Sequence, residues 1–151
     1  IGVGPQLLKA SDNFLQMQFI EGDLLPKWIQ KQHGRGTKER IRRVLHEILE
    51  QCWRLDEAGL DHGELSRAPK HIIVGSKDKP VTVDFETASL TRRPSNVTSI
   101  SQYLFIGSQV AKAVQKKYIR VDKEKLVEAL RIYKQERTRE NFDRILTVCK
   151  L

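Results

Sequence analysis

Apolar residues along this chain switch between two periods, and the switches mark its elements. Leu15, Met17 and Phe19 alternate with Gln16 and Gln18, the period of a strand with one buried face. This predicts a strand over Phe14–Ile20, paired with Gln6–Lys9 through the turn residues Ser11-Asp12-Asn13. Glu21-Gly22-Asp23 reads as the break that ends the second strand. Leu24–Gln32 predicts a short helix and Gly34-Arg35-Gly36 a loop. From Thr37, expected to be an N-cap, the period becomes helical: Ile41, Val44, Leu45, Ile48, Leu49, Cys52 and Trp53 share one stripe. A long amphipathic helix should therefore run to about Glu57, with Glu39 in its first turn suiting the helix dipole and Ala58-Gly59 ending it.

Two short apolar runs follow, Ile72–Val74 and Val81–Val83, joined as a hairpin through Gly75–Pro80. Asn96 is expected to cap one further helix, with the stripe Ile100, Tyr103, Leu104, Gly107, Val110, Ala111 and Val114. Phe105 and Ile106 make that helix apolar on several sides, which predicts a central, buried position. Asp122 and Thr138 should cap two final helices, carrying Leu126, Val127 and Leu130 on one and Phe142, Ile145 and Leu146 on the other. The order predicts a mostly helical α+β fold. Four short strands are too few for a large sheet, so helix packing should supply most of the core.

Composition fits a folded chain: 151 residues, 39% hydrophobic and 30% charged. No apolar run reaches the roughly 20 residues of a membrane span, and no signal peptide is visible. With Cys52 and Cys149 alone there is neither a disulfide framework nor a zinc site, so a cytoplasmic location is expected and Cys52 should be a buried thiol. Trp28 and Trp53 lie on helical faces and should be core; His33 and His46 should be unpaired surface residues. The first residue is Ile, so the chain is expected not to begin where translation begins. A net charge of +8 allows an RNA or other nucleic-acid partner, an acidic protein or phosphate groups. Lys112, Lys116, Lys117 and Arg120 repeat near one helical face without interleaved aromatics, which favours a solvated face over a stacking platform.

The candidate chemistry lies at the ends of the two apolar runs. Leu60-Asp61-His62-Gly63-Glu64-Leu65 precedes the first, and Asp84-Phe85-Glu86 follows the second. Hairpin pairing would bring Glu64 and Asp84 toward one cleft. Two carboxylates there could hold magnesium with substrate phosphates and orient a hydroxyl nucleophile.

His62-Gly63-Glu64-Leu65 resembles the His-x-Asp-Leu catalytic loop of the protein-kinase-like superfamily, and Asp84-Phe85-Glu86 resembles its Asp-Phe-Gly motif. Leu65-Ser66 is similar to the pattern of RIO kinases and of related small archaeal serine/threonine kinases. Phe14–Gly22 resembles the last N-lobe strand and hinge. The resemblance implies that residues 1–22 are the last N-lobe strands and hinge, and 23–151 the C-terminal helical lobe. It implies ATP- and magnesium-dependent phosphoryl transfer to a serine or threonine of a protein substrate. Glu64 would take the position of the catalytic aspartate, His62 that of the bracing histidine, Asp84 that of the magnesium-binding aspartate and His71 that of the metal-binding asparagine. Met17 would be the gatekeeper, and the Gln18 carbonyl and Ile20 amide would face adenine.

Several residues depart from that pattern. Glu64 is one methylene longer than aspartate, Glu86 stands where the family has glycine, and the spacing from Glu64 to His71 is longer by two residues. Gly2-Val3-Gly4 does not continue into a phosphate loop, and no strand lysine of the Val-Ala-Ile-Lys type is present. The chain is therefore expected to be one lobe of a larger kinase, inactive alone. A pseudokinase scaffold and a basic RNA-binding helical protein stay open as rivals. Arg92-Arg93-Pro94-Ser95 matches a basic phosphosite, but a solvated loop leading into a helix capped by Ser95 or Asn96 is the simpler reading.

Overall fold

A computed structural model describes all residues, Ile1–Leu151. The fold is α+β, with six helices and two small antiparallel sheets. Strands β1 (Leu7–Ala10) and β2 (Leu15–Met17) form a two-stranded hairpin closed at Ser11, whose N–H donates to the Phe14 carbonyl at 2.9 Å. Both faces of this hairpin are exposed, including Leu7, Leu8, Phe14, Leu15 and Met17. The strand predicted to Ile20 ends at Met17, because the chain turns away to build a third strand.

That strand, β3 (Gly22–Leu24), falls on the residues read as a strand break. It pairs with β4 (Ile72–Gly75), which pairs with β5 (Pro80–Thr82), so there are five strands and not four. Gly22 is required at this crossing: a Cβ there would lie 2.4 Å from the Val74 carbonyl oxygen. The expected β4–β5 hairpin forms, with Ile72 opposite Thr82 and Ile73 opposite Val81.

Helices α1 (Leu25–Lys31) and α2 (Thr37–Glu57) follow the predicted ranges. The N-cap of α2 is Gly36, at φ 83°, and not Thr37, whose Oγ1 is buried without a partner. The single helix expected after Asn96 is two, α3 (Asn96–Phe105) and α4 (Gln109–Lys117). Ser108 makes the break, accepting from the Ala111 N–H and donating to the Tyr103 carbonyl. Helices α5 (Lys123–Gln135) and α6 (Arg139–Cys149) are capped by Asp122 and Thr138 as expected.

Helices supply most of a core of 29 buried residues, running from Leu25 and Ile29 through the α2 stripe to Phe142 and Ile145. Cys52 and Trp28 belong to it, and Trp53 packs on its edge against Phe142, with ring centroids 5.2 Å apart. His33 is exposed, while His46 Nε2 lies 3.9 Å from Glu50, a partner the sequence did not reveal. No helix is long and apolar enough to cross a membrane.

Candidate functional site

The β4–β5 register sets the site. Because Ile72 faces Thr82, His71 comes opposite Val83, whose N–H donates to the His71 carbonyl at 2.9 Å. Asp84 follows directly and is therefore delivered beside His71. On the other side a 3₁₀ turn, Leu65–Arg67, curls the chain between Glu64 and β4, with the Arg67 N–H on the Glu64 carbonyl. Glu64 is thereby brought back over the start of the strand. His71 Nε2 lies 2.9 Å from Glu64 Oε2 and 3.5 Å from Asp84 Oδ2. The three ligand atoms all lie within 4.8 Å of one another.

Asp84 holds a left-handed backbone conformation, φ 66°, which aspartate tolerates better than most side chains. Its side chain and that of Glu64 are about half exposed, while His71 is buried, so two carboxylates open to solvent over a fixed imidazole. An octahedral cation with bonds of about 2.1 Å holds neighbouring ligand atoms roughly 3 Å apart, close to the His71–Glu64 separation and shorter than the His71–Asp84 one. The oxygens of Glu64 and Asp84 suit magnesium, and the imidazole nitrogen suits a softer divalent cation. Two carboxylate oxygens and one imidazole nitrogen form a donor set of the kind that holds a divalent cation.

His62 is fully buried and braces the two loops. Its Nε2 lies 3.0 Å from the Val83 carbonyl oxygen, which can only accept, so the ring proton sits on Nε2. The ring packs at 4.8 Å from Phe85 and 5.4 Å from His71. Burial lowers its pKa and keeps the imidazole neutral. Sequence-predicted Glu64, His62, His71 and Asp84 thus come together in one place.

The residues expected to face adenine divide. Gln18 and Ile20 line a cavity of about 440 Å³ with Gly4, Gln51, Lys79 and Val81, whereas Met17 is not among its walls and stands 54% exposed on β2. Between this cavity and the acidic cluster lies a surface the sequence reading missed. Leu24, Ile73 and Val81 stand in register across β3, β4 and β5, partly exposed, while Ile72, Val74 and Thr82 are buried on the opposite face. His71, Ile73 and Gly75 share a face by strand alternation, and that run is about 13 Å long at about 3.3 Å per residue. The available signal was that Ile72-Ile73-Val74 is apolar at every position, as in strands covered on both faces.

Two basic features differ from expectation. Lys117 is not on a solvated face: its Nζ donates to the carbonyls of Ile29, Gln30 and Gln32 at 3.0, 2.7 and 2.7 Å, closing the end of α1. Arg92 is not a free loop cation, since its Nε donates to Asp61 at 2.9 Å. Ser95 is at the N-cap position of α3 but makes no side-chain cap; the Asn96 side chain instead donates to Asp56 and to the Leu60 carbonyl and accepts from the His62 N–H.

No protein-family model matches this sequence. The chain is similar, at 28% identity over 99 residues, to an uncharacterized protein of Methanocaldococcus jannaschii; the match covers 66% of this chain and 80% of that protein.

Proposed function

We propose that this chain is the helical lobe of an atypical, RIO-like serine/threonine protein kinase, carrying the last strands of the N-terminal lobe in residues 1–22. The observation that carries the reading is the meeting of Glu64, His71 and Asp84 at the open end of the β4–β5 hairpin, braced by His62. Two sequence motifs 20 residues apart converge there on ligand-binding distances, with one carboxylate on each.

In this reading Asp84, with His71 beside it, holds the divalent cation that accompanies ATP. That cation neutralises phosphate charge when bound. Glu64 orients the acceptor hydroxyl, a task of positioning more than of strong basicity. The apolar run from Leu24 through Ile73 to Val81 supports the adenine ring, with the backbone at Gln18 and Ile20 along its edge. The length from His71 to Gly75 suits a nucleotide lying with its phosphates at the cluster. The exposed faces of the β1–β2 hairpin are where further N-lobe structure would pack. A protein hydroxyl is the acceptor.

The test is transfer of labelled phosphate from ATP to a generic protein substrate, with magnesium or manganese. This chain alone is compared with the chain joined to the N-terminal lobe that the reading requires. The chain alone should be silent, the joined protein active, and Asp84→Asn inactive. Cation-dependent nucleotide binding without transfer would instead make it a pseudokinase. The absence of both binding and transfer in the joined protein would overturn the reading.

A further inference from the structure

Every backbone polar group of Asp61 and His62 is bonded to the segment that follows Asp84-Phe85-Glu86. Asp61 exchanges both backbone hydrogen bonds with Ser89, at 2.9 and 2.8 Å. The His62 N–H donates to Asn96 Oδ1, and the His62 carbonyl accepts from Thr87 Oγ1. At the centre sits Arg92. Its Nε donates to Asp61 Oδ2 at 2.9 Å, and its Nη2 donates to the Thr87 carbonyl at 2.6 Å and reaches the Asp61 carbonyl at 3.5 Å. The Asp61 side chain is only 8% exposed, and its other oxygen accepts from the Ser95 N–H and hydroxyl. The same guanidinium lies against Gly63, where an added Cβ would fall 2.5 Å from Nη2.

We infer that Arg92 is a positioning residue: paired with Asp61, it latches the segment Thr87–Ser95 onto the Asp61–Gly63 loop and so aims Glu64 at Asp84 and His71. Glu64 follows Gly63 directly, and its side chain is half exposed, so its direction is set by its backbone together with its 2.9 Å contact with His71 Nε2. Arg92 bonds the Asp61 carboxylate and the Thr87 carbonyl at once through donors held in one plane, which arginine supplies and lysine does not. The cation comes from within the segment itself, so the latch closes without a covalent modification. The functional part of the inference rests on the reading of Glu64 as the residue that orients the acceptor hydroxyl.

The test uses Arg92→Ala and Arg92→Lys, at a side chain half exposed and outside the core, so both variants should fold. Hydrogen exchange is measured on this chain, which has its own core. In Arg92→Ala, exchange at the hydrogen-bonded amides of Asp61, His62 and Ser89 should rise by about tenfold or more while Ile73 and Val74 keep their protection. Arg92→Lys should not restore it. In the joined protein, kcat should fall by about tenfold or more with the KM for ATP within about twofold. Unchanged exchange at Asp61, His62 and Ser89, or full rescue by lysine, overturns the latch. Faster exchange with unchanged kcat overturns the positioning role. Faster exchange in a protein whose wild type neither binds nor turns over ATP leaves the latch standing and removes the kinase reading.

Discussion

Asp56 Oδ1 accepts from both the backbone and the side-chain nitrogen of Asn96, at 2.9 and 2.8 Å. Its second oxygen accepts from the Val97 N–H and, at 2.8 Å, from the Tyr133 hydroxyl. The last turn of α2 thus caps α3 from a distance and ties it to α5. Asn96, released from capping, holds the Leu60 carbonyl and the His62 N–H. Helix packing is coupled in this way to the loop that carries Glu64.

Asp56→Ala should cost about 3 kcal/mol in urea unfolding, since it strands several buried donors at about 1–3 kcal/mol each. Asp56→Asn keeps one acceptor and should cost less. Burial raises the Asp56 pKa above its ordinary value, against the lowering effect of Tyr133 and Asn96. A raised carboxyl pKa makes the folded state hold a proton that the unfolded state has lost. The stability margin of wild type over Asp56→Asn should therefore be largest below the ordinary value of 3.8 and shrink as pH rises through the folded pKa. A margin that grows with pH over that range would show that the hydrogen bonds outweigh burial.

Both thiols should be silent in the native protein. Burial pushes Cys52 well above its ordinary pKa and Cys149 up to about 12, and both side chains are inaccessible. At pH 8 a disulfide reagent should label neither cysteine in buffer and both in denaturant. Labelling in buffer should be no faster than unfolding. Rapid native labelling of Cys149 would mean that the end of α6 frays.

Much of this architecture was legible because one face of each helix is a continuous apolar stripe. The α2 stripe from Ile41 to Cys52 fixed that helix within a residue at either end. The same logic hid the break between α3 and α4, because Val110 and Val114 continue the stripe of Ile100 and Leu104 across it. Gly107-Ser108, a helix stop followed by a cap, was the signal that continuity masked. Strand β3 was hidden for another reason. Its only apolar residue is Leu24, and its pairing with β4 joins residues about 50 positions apart. Glu64 and Asp84 stood out because a predicted hairpin joined their loops. Arg92 was expected in a solvated loop, and nothing local marked Asp56 or Asp61 as buried acids.

Gly63 should tolerate no side chain. Its φ is 91°, and a Cβ would meet Arg92 Nη2 at 2.5 Å and Thr87 Oγ1 at 3.1 Å. Gly63→Ala should cost about 2 kcal/mol from backbone strain, with more lost as the guanidinium is displaced. Gly59 is the control: its φ is 71°, but nothing lies within 4 Å of its added Cβ. Gly59→Ala should therefore show the strain alone. Equal losses at the two sites, by urea unfolding, would mean that the Arg92 contact adds nothing.

If the proposed two-lobe kinase is right, Glu64 and Asp84 should separate cleanly in the chain joined to that N-terminal lobe. Asp84 stands 3.5 Å from His71 on the strand side of the cluster, and Glu64 stands 2.9 Å from His71 on the loop side. If Asp84 holds the cation, Asp84→Asn should abolish both the cation dependence of ATP binding and the transfer itself. If Glu64 orients the acceptor hydroxyl, as proposed, Glu64→Gln removes that carboxylate and leaves the phosphate side intact. It should lower kcat by about a hundredfold, the smaller end of what a positioned acid–base group contributes, and leave ATP affinity nearly unchanged. Its shorter relative, Glu64→Asp, would draw the carboxylate back from His71 while keeping its charge, so on the proposed reading partial activity is expected. Equal losses of ATP affinity in Glu64→Gln and Asp84→Asn would make Glu64 a cation ligand, and full activity of Glu64→Gln would remove it from the chemistry.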